Sequence, residues 1–214
     1  VIDSSGAPEI FIPERDISGE KSRIGVFVCD CGFEIGGLIK VDKLIEFAKN
    51  RKDVVVSQAV GYGCSRDSME IIEGLIKTHN LNRVVIGGCS PRTHETKFQD
   101  LLRRAGLNKY LVEIVNLRDQ DTWAHIGQPK ESQDKAFKLL HAGISGVRKS
   151  RPLIDQTLPM NQNALVLGGG VTGMTAALQL ANQDIKVYLV ERGPVLGGLA
   201  MSIQKTIEGM VLGL

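Results

Sequence analysis

The sequence of 214 residues contains no uninterrupted run of 18 apolar residues, which a transmembrane helix would need. Its start lacks the basic segment and apolar core of a secretory signal. Aromatic residues make up only 5% of the chain. The net charge is +2 and the Lys and Arg residues are scattered, so no strong positive field would attract nucleic acid. These absences predict a globular protein of the cytoplasm with one large or two small domains.

The chain also lacks a P-loop, a Ser-His-Asp arrangement and a pair of acidic residues in a pocket-like pattern. The sequence therefore does not indicate hydrolysis catalysed by side chains, or phosphoryl transfer. It has no cysteine after position 89, and its four cysteines are Cys29, Cys31, Cys64 and Cys89. In a cytoplasmic protein, such clustering indicates metal binding or redox chemistry more than structural disulfides.

The segment 164–191 has the pattern of a strand, a glycine turn, an apolar helix and a second strand that ends in an acid. Gly168, Gly170 and Gly173 fit G-x-G-x-x-G, in which the glycines permit a tight turn, a close pyrophosphate and close helix packing. Phosphates bind to the free N–H groups at such a helix start. Glu191 lies 23 positions after Gly168, near the spacing of an acid that binds a ribose hydroxyl.

The glycine pair that follows the acid favours FAD over NAD, because Arg192 and then Gly197-Gly198 resemble the FAD-binding arms of thioredoxin-reductase-type flavoproteins. A surface loop without a ligand is the alternative interpretation of that pair. The residues that we expect to bind the nucleotide are Gly168, Gly170, Val171, Thr172, Gly173, Glu191, Arg192, Gly197 and Gly198.

Four segments organise the chain, and the sequence before the nucleotide unit alternates between strands and helices. Residues 1–22 are expected to form an N-terminal arm, 23–150 an α/β domain, 151–162 a linker with two prolines, and 163–214 an incomplete Rossmann unit. The predicted strands are 24–28, 54–56, 84–86 and 110–115, and the predicted helices are 41–50, 68–79, 93–105 and 132–149. This alternation predicts a doubly wound parallel sheet.

Each cysteine follows a predicted strand, at the end where open α/β sheets bind ligands. Four thiolates at one point fit a [4Fe–4S] cluster or a tetrahedral zinc ion. Four buried thiols without a ligand, and a strained disulfide between Cys29 and Cys31, remain open alternatives. His94 lies near Cys89 and is a weaker candidate for tuning a metal, since such a histidine more often only satisfies a helix start. Trp123 is expected to serve in packing.

The chain between residues 23 and 198 resembles one family, the A subunit of heterodisulfide reductase, an iron–sulfur flavoprotein of methanogens with relatives in other anaerobes. The strings that carry the resemblance are Val28-Cys-Asp-Cys-Gly32, Val41-Asp, Gly63-Cys-Ser65, Cys-Ser-Pro-Arg-Thr-His-Glu at 89–95, Ala105-Gly-Leu-Asn108, 165–177, Glu191 and Gly197-Gly198. The resemblance implies FAD in a thioredoxin-reductase-like domain, a [4Fe–4S] cluster on Cys29, Cys31, Cys64 and Cys89, and partner subunits that carry electrons onward.

Two functions follow as expectations. The first is an oxidoreductase subunit in which FAD exchanges electron pairs and the cluster passes single electrons to partner iron–sulfur subunits, with flavin-based bifurcation as the family implies. The second is a non-catalytic assembly subunit with a structural metal that docks to a flavoprotein. Members of the family continue far beyond this point. We therefore expect another polypeptide, or a continuation of the chain, to complete the flavin domain.

Overall fold

The computed structural model describes residues 12–205, 207 and 209, which divide into two compact units between Ile154 and Asp155. Half of the predicted N-terminal arm, residues 1–11, lies outside the described residues. The division falls inside the segment that the sequence assigns to a linker. Residues 151–163 are all described, and they form neither helix nor strand.

The first unit alternates between strand and helix, and its four strands form one parallel sheet in the order β2-β1-β3-β4. This confirms the predicted mixed α/β fold with a parallel sheet. The elements are β1 (Ile24–Cys29), α1 (Val41–Lys49), β2 (Val54–Val60), α2 (Arg66–Thr78), β3 (Arg83–Gly88), α3 (Pro91–Arg104), β4 (Val112–Asn116) and α4 (Pro129–Val147).

Every helix boundary of the first unit lies within three residues of its predicted position, and two of the largest differences are at helices that begin with proline. Pro91 and Pro129 open α3 and α4, although the sequence analysis placed those helix starts later. Proline suits the first turn because its fixed φ is already helical and its missing N–H would have no partner there. Ser65 begins α2 by accepting a hydrogen bond from the Ser68 N–H at 3.3 Å.

Two apolar clusters pack on the two faces of the sheet. Phe27 of β1 joins the side chains of α2 and α3, whereas Val26 and Val28 join those of α1 and α4. Every residue of β1 and β3 is buried, which explains why these central strands have nearly continuous apolar sequences. The structure therefore has helices against both faces of the sheet.

The strand order creates a crevice at the carboxyl edge. The chain leaves β1 toward β2 on one side of the sheet and later continues from β3 to β4 on the other side. The connections after β1 and β3 therefore diverge, and ligands of open α/β sheets bind at such a point.

The second unit contains two parallel strands, β5 (Ala164–Leu167) and β6 (Val187–Val190), joined by α5 (Val171–Ala181), and then a short 3₁₀ helix, Gly198–Ser202. Along each strand, half-covered residues alternate with more exposed ones. The exposed set is Leu165, Leu167, Tyr188 and Val190, at 63%, 75%, 48% and 49%. Since parallel sheets are normally covered on both faces, this unit has one open apolar face.

Among the described residues, no helix combines the length and the apolar character that crossing a membrane requires.

Two glycines of α4, three residues apart, provide a matched test of how closely this helix packs on β4. A Cβ at Gly143 would overlap the Val115 side chain, whereas a Cβ at Gly146 would meet open space. We predict that Gly143→Ala lowers the free energy of unfolding by about 1–3 kcal/mol through overpacking. Gly146→Ala should raise it by about 0.5–1 kcal/mol through helix propensity. Urea unfolding of both variants tests the pair, and equal effects would contradict the packing described.

Candidate functional site

The four cysteines line one cavity at the carboxyl edge of the four-stranded sheet. Cys29 ends β1, Cys31 lies two residues later, Cys64 lies in the loop before α2, and Cys89 directly follows β3. The cavity has a volume of about 140 Å³, and the side chains of Ile86, Phe98 and Ile114 supply part of its apolar wall. All four cysteines are free thiols, so the structure contains no bond between Cys29 and Cys31.

The turn after β1 brings Cys29 and Cys31 to the same cavity. Cys31 has φ +46° and Gly32 has φ +59°, and a left-handed conformation is uncommon for any residue with a Cβ. The Cys31 N–H donates to the Gly61 carbonyl at 3.0 Å, which fixes the turn against the loop after β2. A backbone in this sparsely populated region persists where the surrounding structure holds it, and such positions concentrate at functional sites.

Burial disfavours ionised thiols in the cavity when no cation is bound. Desolvation raises the pKa of Cys29 to about 11, although the Gly63 N–H donates a hydrogen bond to its sulfur at 3.3 Å. Desolvation also raises the pKa of Cys89, against the opposing effect of Arg118. Thiolates are the forms that ligate metals, and a bound cation would lower the pKa of these two thiols.

The size of the cavity favours a cluster over a single ion. A volume of about 140 Å³ is roughly ten times the minimum that holds one water molecule. In the part of the chain that the structure describes, no group of three or more His, Cys, Asp or Glu residues is placed closely enough to hold a metal ion, so the four thiols share the cavity without the spacing of metal ligands. A tetrahedral zinc ion would need its sulfurs about 2.3 Å away, whereas a cluster spreads its irons and its ligands farther apart.

Arg118 is a charged residue of this site that the sequence analysis missed. It follows β4 in a π-helical turn, Arg118–Thr122, and its Nη1 lies 3.9 Å from the Cys31 sulfur. Its guanidinium stacks on Trp123, 4.6 Å from the ring centroid. Trp123 is therefore more than a packing residue, since it is 47% exposed and its Nε1–H donates to the Glu34 carboxylate. The cysteines were grouped because each follows a predicted strand, and Arg118, which follows β4, could have been identified in the same way.

His94 lies where the sequence placed it, in the wall of the cysteine cavity. Burial lowers its pKa, and the positive charges of Lys97 and Arg118 lower it further. Both effects favour the neutral ring, in which one nitrogen can accept a hydrogen bond. A role in tuning a metal stays a prediction.

The second unit folds its glycines into the compact turn that a dinucleotide needs. Gly168 has φ +102°, and a Cβ at Gly173 would overlap the Gly168 carbonyl, so the start of α5 packs directly on the end of β5. Gly197 donates its N–H to the Gly169 carbonyl at 2.7 Å and has φ +116°. The glycine pair at 197–198 thus lies against the glycine turn.

The start of α5 has no side-chain cap among the described residues, as the predicted phosphate site requires. Gly170 is its N-cap residue. Val171 and Thr172 form its first turn, and Val171 is 57% exposed. The N–H groups of that turn therefore face solvent or a ligand, with the positive end of the helix dipole behind them. Arg192 is exposed beside Glu191.

Glu191 holds the turn together through its own carboxylate. Its Oε2 accepts the Gly169 N–H at 2.6 Å, and its Oε1 accepts the Gly193 N–H at 2.7 Å. The hydrogen bonds from Gly193 and Gly169 lower the pKa of Glu191. Each carboxylate oxygen has a further lone pair, so the same group can still accept a ribose hydroxyl.

Known proteins match both units. The model of the NAD(P)-binding Rossmann-like domain family matches residues 166–213. The chain is 41% identical to an Archaeoglobus profundus protein named as resembling the A subunit of heterodisulfide reductase, over 87% of this chain and 27% of that protein. It is 41% identical to an iron-sulfur A subunit of the CoB--CoM heterodisulfide reductase of Methanopyrus kandleri, over 87% and 28%. It is 43% identical to the A subunit of the ferredoxin:CoB-CoM heterodisulfide reductase of Methanosarcina mazei, over 82% and 22%.

These matches confirm the resemblance to the A subunit of heterodisulfide reductase that the sequence predicted. The chain spans about a quarter of the length of these relatives.

The two hydrogen bonds to Glu191 predict how the glycine turn responds to acid. The depressed pKa means that the ionised carboxylate stabilises the turn above the ordinary glutamate value of about 4.3. That stabilisation is lost as the pH falls through the lower, folded value. NMR titration of the Gly169 and Gly193 amide signals should show a shared midpoint below about 4.3, absent from the Glu191→Gln variant. A midpoint at or above the ordinary value would contradict the geometry.

Proposed function

We propose that this chain, which is similar over most of its length to the A subunit of heterodisulfide reductase, is part of an oxidoreductase and transfers electrons within a heterodisulfide-reductase-like complex. In this proposal Cys29, Cys31, Cys64 and Cys89 ligate one [4Fe–4S] cluster, and the glycine turn after β5 binds FAD. The observation that carries the proposal is the meeting of four cysteines, from the ends of three strands, in one cavity.

The donor set of this cavity suits iron–sulfur chemistry. A bound cluster would supply one-electron transfer, and the chain's part is to ligate it, to exclude water and to donate hydrogen bonds to its sulfurs. Gly63 already donates its N–H to the Cys29 sulfur, and the side chains of Ile86, Phe98 and Ile114 form an apolar part of the wall. The name of the Methanopyrus kandleri relative, an iron-sulfur subunit, supports this assignment. A structural zinc ion on the same four cysteines is the alternative, and the metal content of the purified protein separates the two.

FAD is the nucleotide that the second unit fits best. The matched family is described only as NAD(P)-binding, so the choice rests on the chain's own residues. Gly197 and Gly198 pack against the glycine turn, as the FAD-binding arms of thioredoxin-reductase-type flavoproteins would require. Glu191 would repel the 2′-phosphate of NADP, because its carboxylate lies at the ribose position of the fingerprint.

The open face of the second unit supports a role inside a larger assembly. Leu165, Leu167, Tyr188 and Val190 would lose exposed apolar area against further strands or helices. We propose that another polypeptide, or a continuation of this chain, completes a thioredoxin-reductase-like flavin domain. Iron–sulfur subunits of a cytoplasmic complex would then exchange electrons with it, and bifurcation at the flavin is part of the same proposal.

The metal content of anaerobically purified protein tests the cluster assignment. We predict about four iron atoms per chain, with matching acid-labile sulfide, because one cubane fills a four-cysteine site. Cys64→Ser and Cys89→Ser should each lose most of the iron, since a hydroxyl is a far weaker ligand than a thiolate. Ser90→Ala changes the neighbouring residue of the same cavity and should retain the wild-type iron content. One zinc and no iron in the wild-type chain would refute the assignment.

The nucleotide assignment predicts a separate effect of Glu191→Ala. Loss of the carboxylate removes both the bonds to Gly169 and Gly193 and the acceptor for a ribose diol. The variant should therefore bind FAD at least tenfold more weakly while keeping its iron. Gln179→Ala, on the exposed side of α5, is the matched control and should bind FAD as the wild type does. The flavin or nucleotide extracted from the native assembly identifies the cofactor class, and NADPH in that extract would overturn the assignment of FAD.

A further inference from the structure

We propose that Arg118 is a positioning residue that raises the reduction potential of the cluster through the Cys31 sulfur. The inference rests on the proposed function, because it requires that Cys31 ligate an iron–sulfur cluster. It assigns a role to the charged side chain of Arg118, which neither the fold nor the proposed set of ligands specifies. Three sets of contacts carry it.

The first set places the charge. The Arg118 Nη1 lies 3.9 Å from the Cys31 sulfur, and the side chain lines the same cavity as the four cysteines. Among the residues that line this cavity, Arg118 alone carries a permanent positive charge. Its guanidinium has five N–H donors and stays protonated at any physiological pH. A hydrogen bond and a full charge therefore act on one ligand sulfur.

The second set holds the guanidinium in place. It stacks on the Trp123 ring at 4.6 Å, and its Nε lies 3.5 Å from the Asp119 Oδ2. Only 20% of the Arg118 side chain is exposed. Trp123 is anchored in turn, because its Nε1–H donates to the Glu34 carboxylate. A long, flexible side chain is thus confined to one position, which is what a constant electrostatic effect requires.

The third set attaches the π-helical turn Arg118–Thr122 to two of the cysteine loops. Asp119 Oδ2 accepts the N–H of Ser90, the residue after Cys89, at 3.1 Å. Thr122 Oγ1 donates to the Glu34 carbonyl, in the loop after Cys31, at 2.6 Å. Single π-helical turns occur often at functional sites. These two hydrogen bonds therefore hold the turn, and with it the Arg118 charge, in a fixed position relative to the cavity.

A fixed cation changes the balance between the two redox states. Reduction adds one electron, so the reduced state carries one more negative charge than the oxidised state. A positive charge and an N–H donor close to a ligand sulfur stabilise the reduced state more, and hydrogen bonds and local charge are known determinants of cluster potentials. Asp119 acts in the opposite direction because its carboxylate partly neutralises Arg118.

Redox titration of the full chain, purified anaerobically and followed by EPR, tests the inference with four variants. Arg118→Gln removes the charge and should lower the ratio of reduced to oxidised cluster at least tenfold at the wild-type midpoint, a negative shift of about 59 mV. Arg118→Lys keeps the charge but loses the planar stack, so its midpoint should lie between those of Gln and wild type. Asp119→Asn should shift the midpoint in the positive direction.

Arg148→Gln is the matched control. Arg148 is 27% exposed and pairs with Asp53 at 2.9 Å, much as Arg118 pairs with Asp119, but it lies at the end of α4 and outside the cysteine cavity. Its removal should leave the midpoint unchanged.

Iron content separates the possible failures. A wild-type chain without iron would overturn the proposed function and this inference with it. Full iron content with an unchanged midpoint in Arg118→Gln would overturn only the role of Arg118. Shifts of the same sign in Arg118→Gln and Asp119→Asn would indicate a structural effect and would also overturn it. Opposite shifts with full iron content would support it.

Discussion

The first unit depends on its strand order, in which the connection after β1 and the connection after β3 run to opposite sides of the parallel sheet. Parallel pairing in the order β2-β1-β3-β4 forces every strand to end at the same edge. The loops that carry Cys29, Cys64 and Cys89 then have to meet there, although 60 positions separate the first from the last. Buried β1 and β3 make this edge rigid, and a rigid scaffold is what loop-borne ligands require.

Two features of the cavity depart from the ordinary properties of cysteine, namely the pKa of two thiols and the backbone conformation of Cys31. Burial raises the pKa of the Cys29 and Cys89 thiols, and Cys31 adopts a left-handed backbone. Both features suit the proposed cluster, which would supply positive charge and fill the space. The second unit presents a comparable situation, since its glycine turn is fully formed but one face of its small sheet remains open. Both units are thus arranged for groups or partners beyond themselves.

The sequence predicted those features that depend on local pattern. The apolar runs of β1 and β3 identified the central strands, and glycine spacing identified the turn after β5. Strand-end positions alone were enough to group the cysteines, even without the strand order. The helices that begin at Pro91 and Pro129 start two and three residues before their predicted positions, since proline is well suited to the first helical turn.

Features that depend on tertiary contact could not be predicted in this way. The π-helical turn has no sequence signature, so the stacking of Arg118 on Trp123 and its approach to Cys31 became visible only in the fold. Glu191 was expected near a ribose, yet its bonds to Gly169 and Gly193 arise from how β6 returns to the glycine turn. The limit is physical, because these contacts join segments whose relative position only the packed sheet determines.

The central claim is that one cluster is bound by the four cysteines at the carboxyl edge of the four-stranded sheet. Anomalous diffraction at the iron absorption edge, from anaerobically grown crystals, locates the metal directly. The account predicts one compact group of iron peaks inside the cavity, in contact with the sulfurs of Cys29, Cys31, Cys64 and Cys89. A single peak that persists at the zinc edge, or iron located away from these sulfurs, would contradict it.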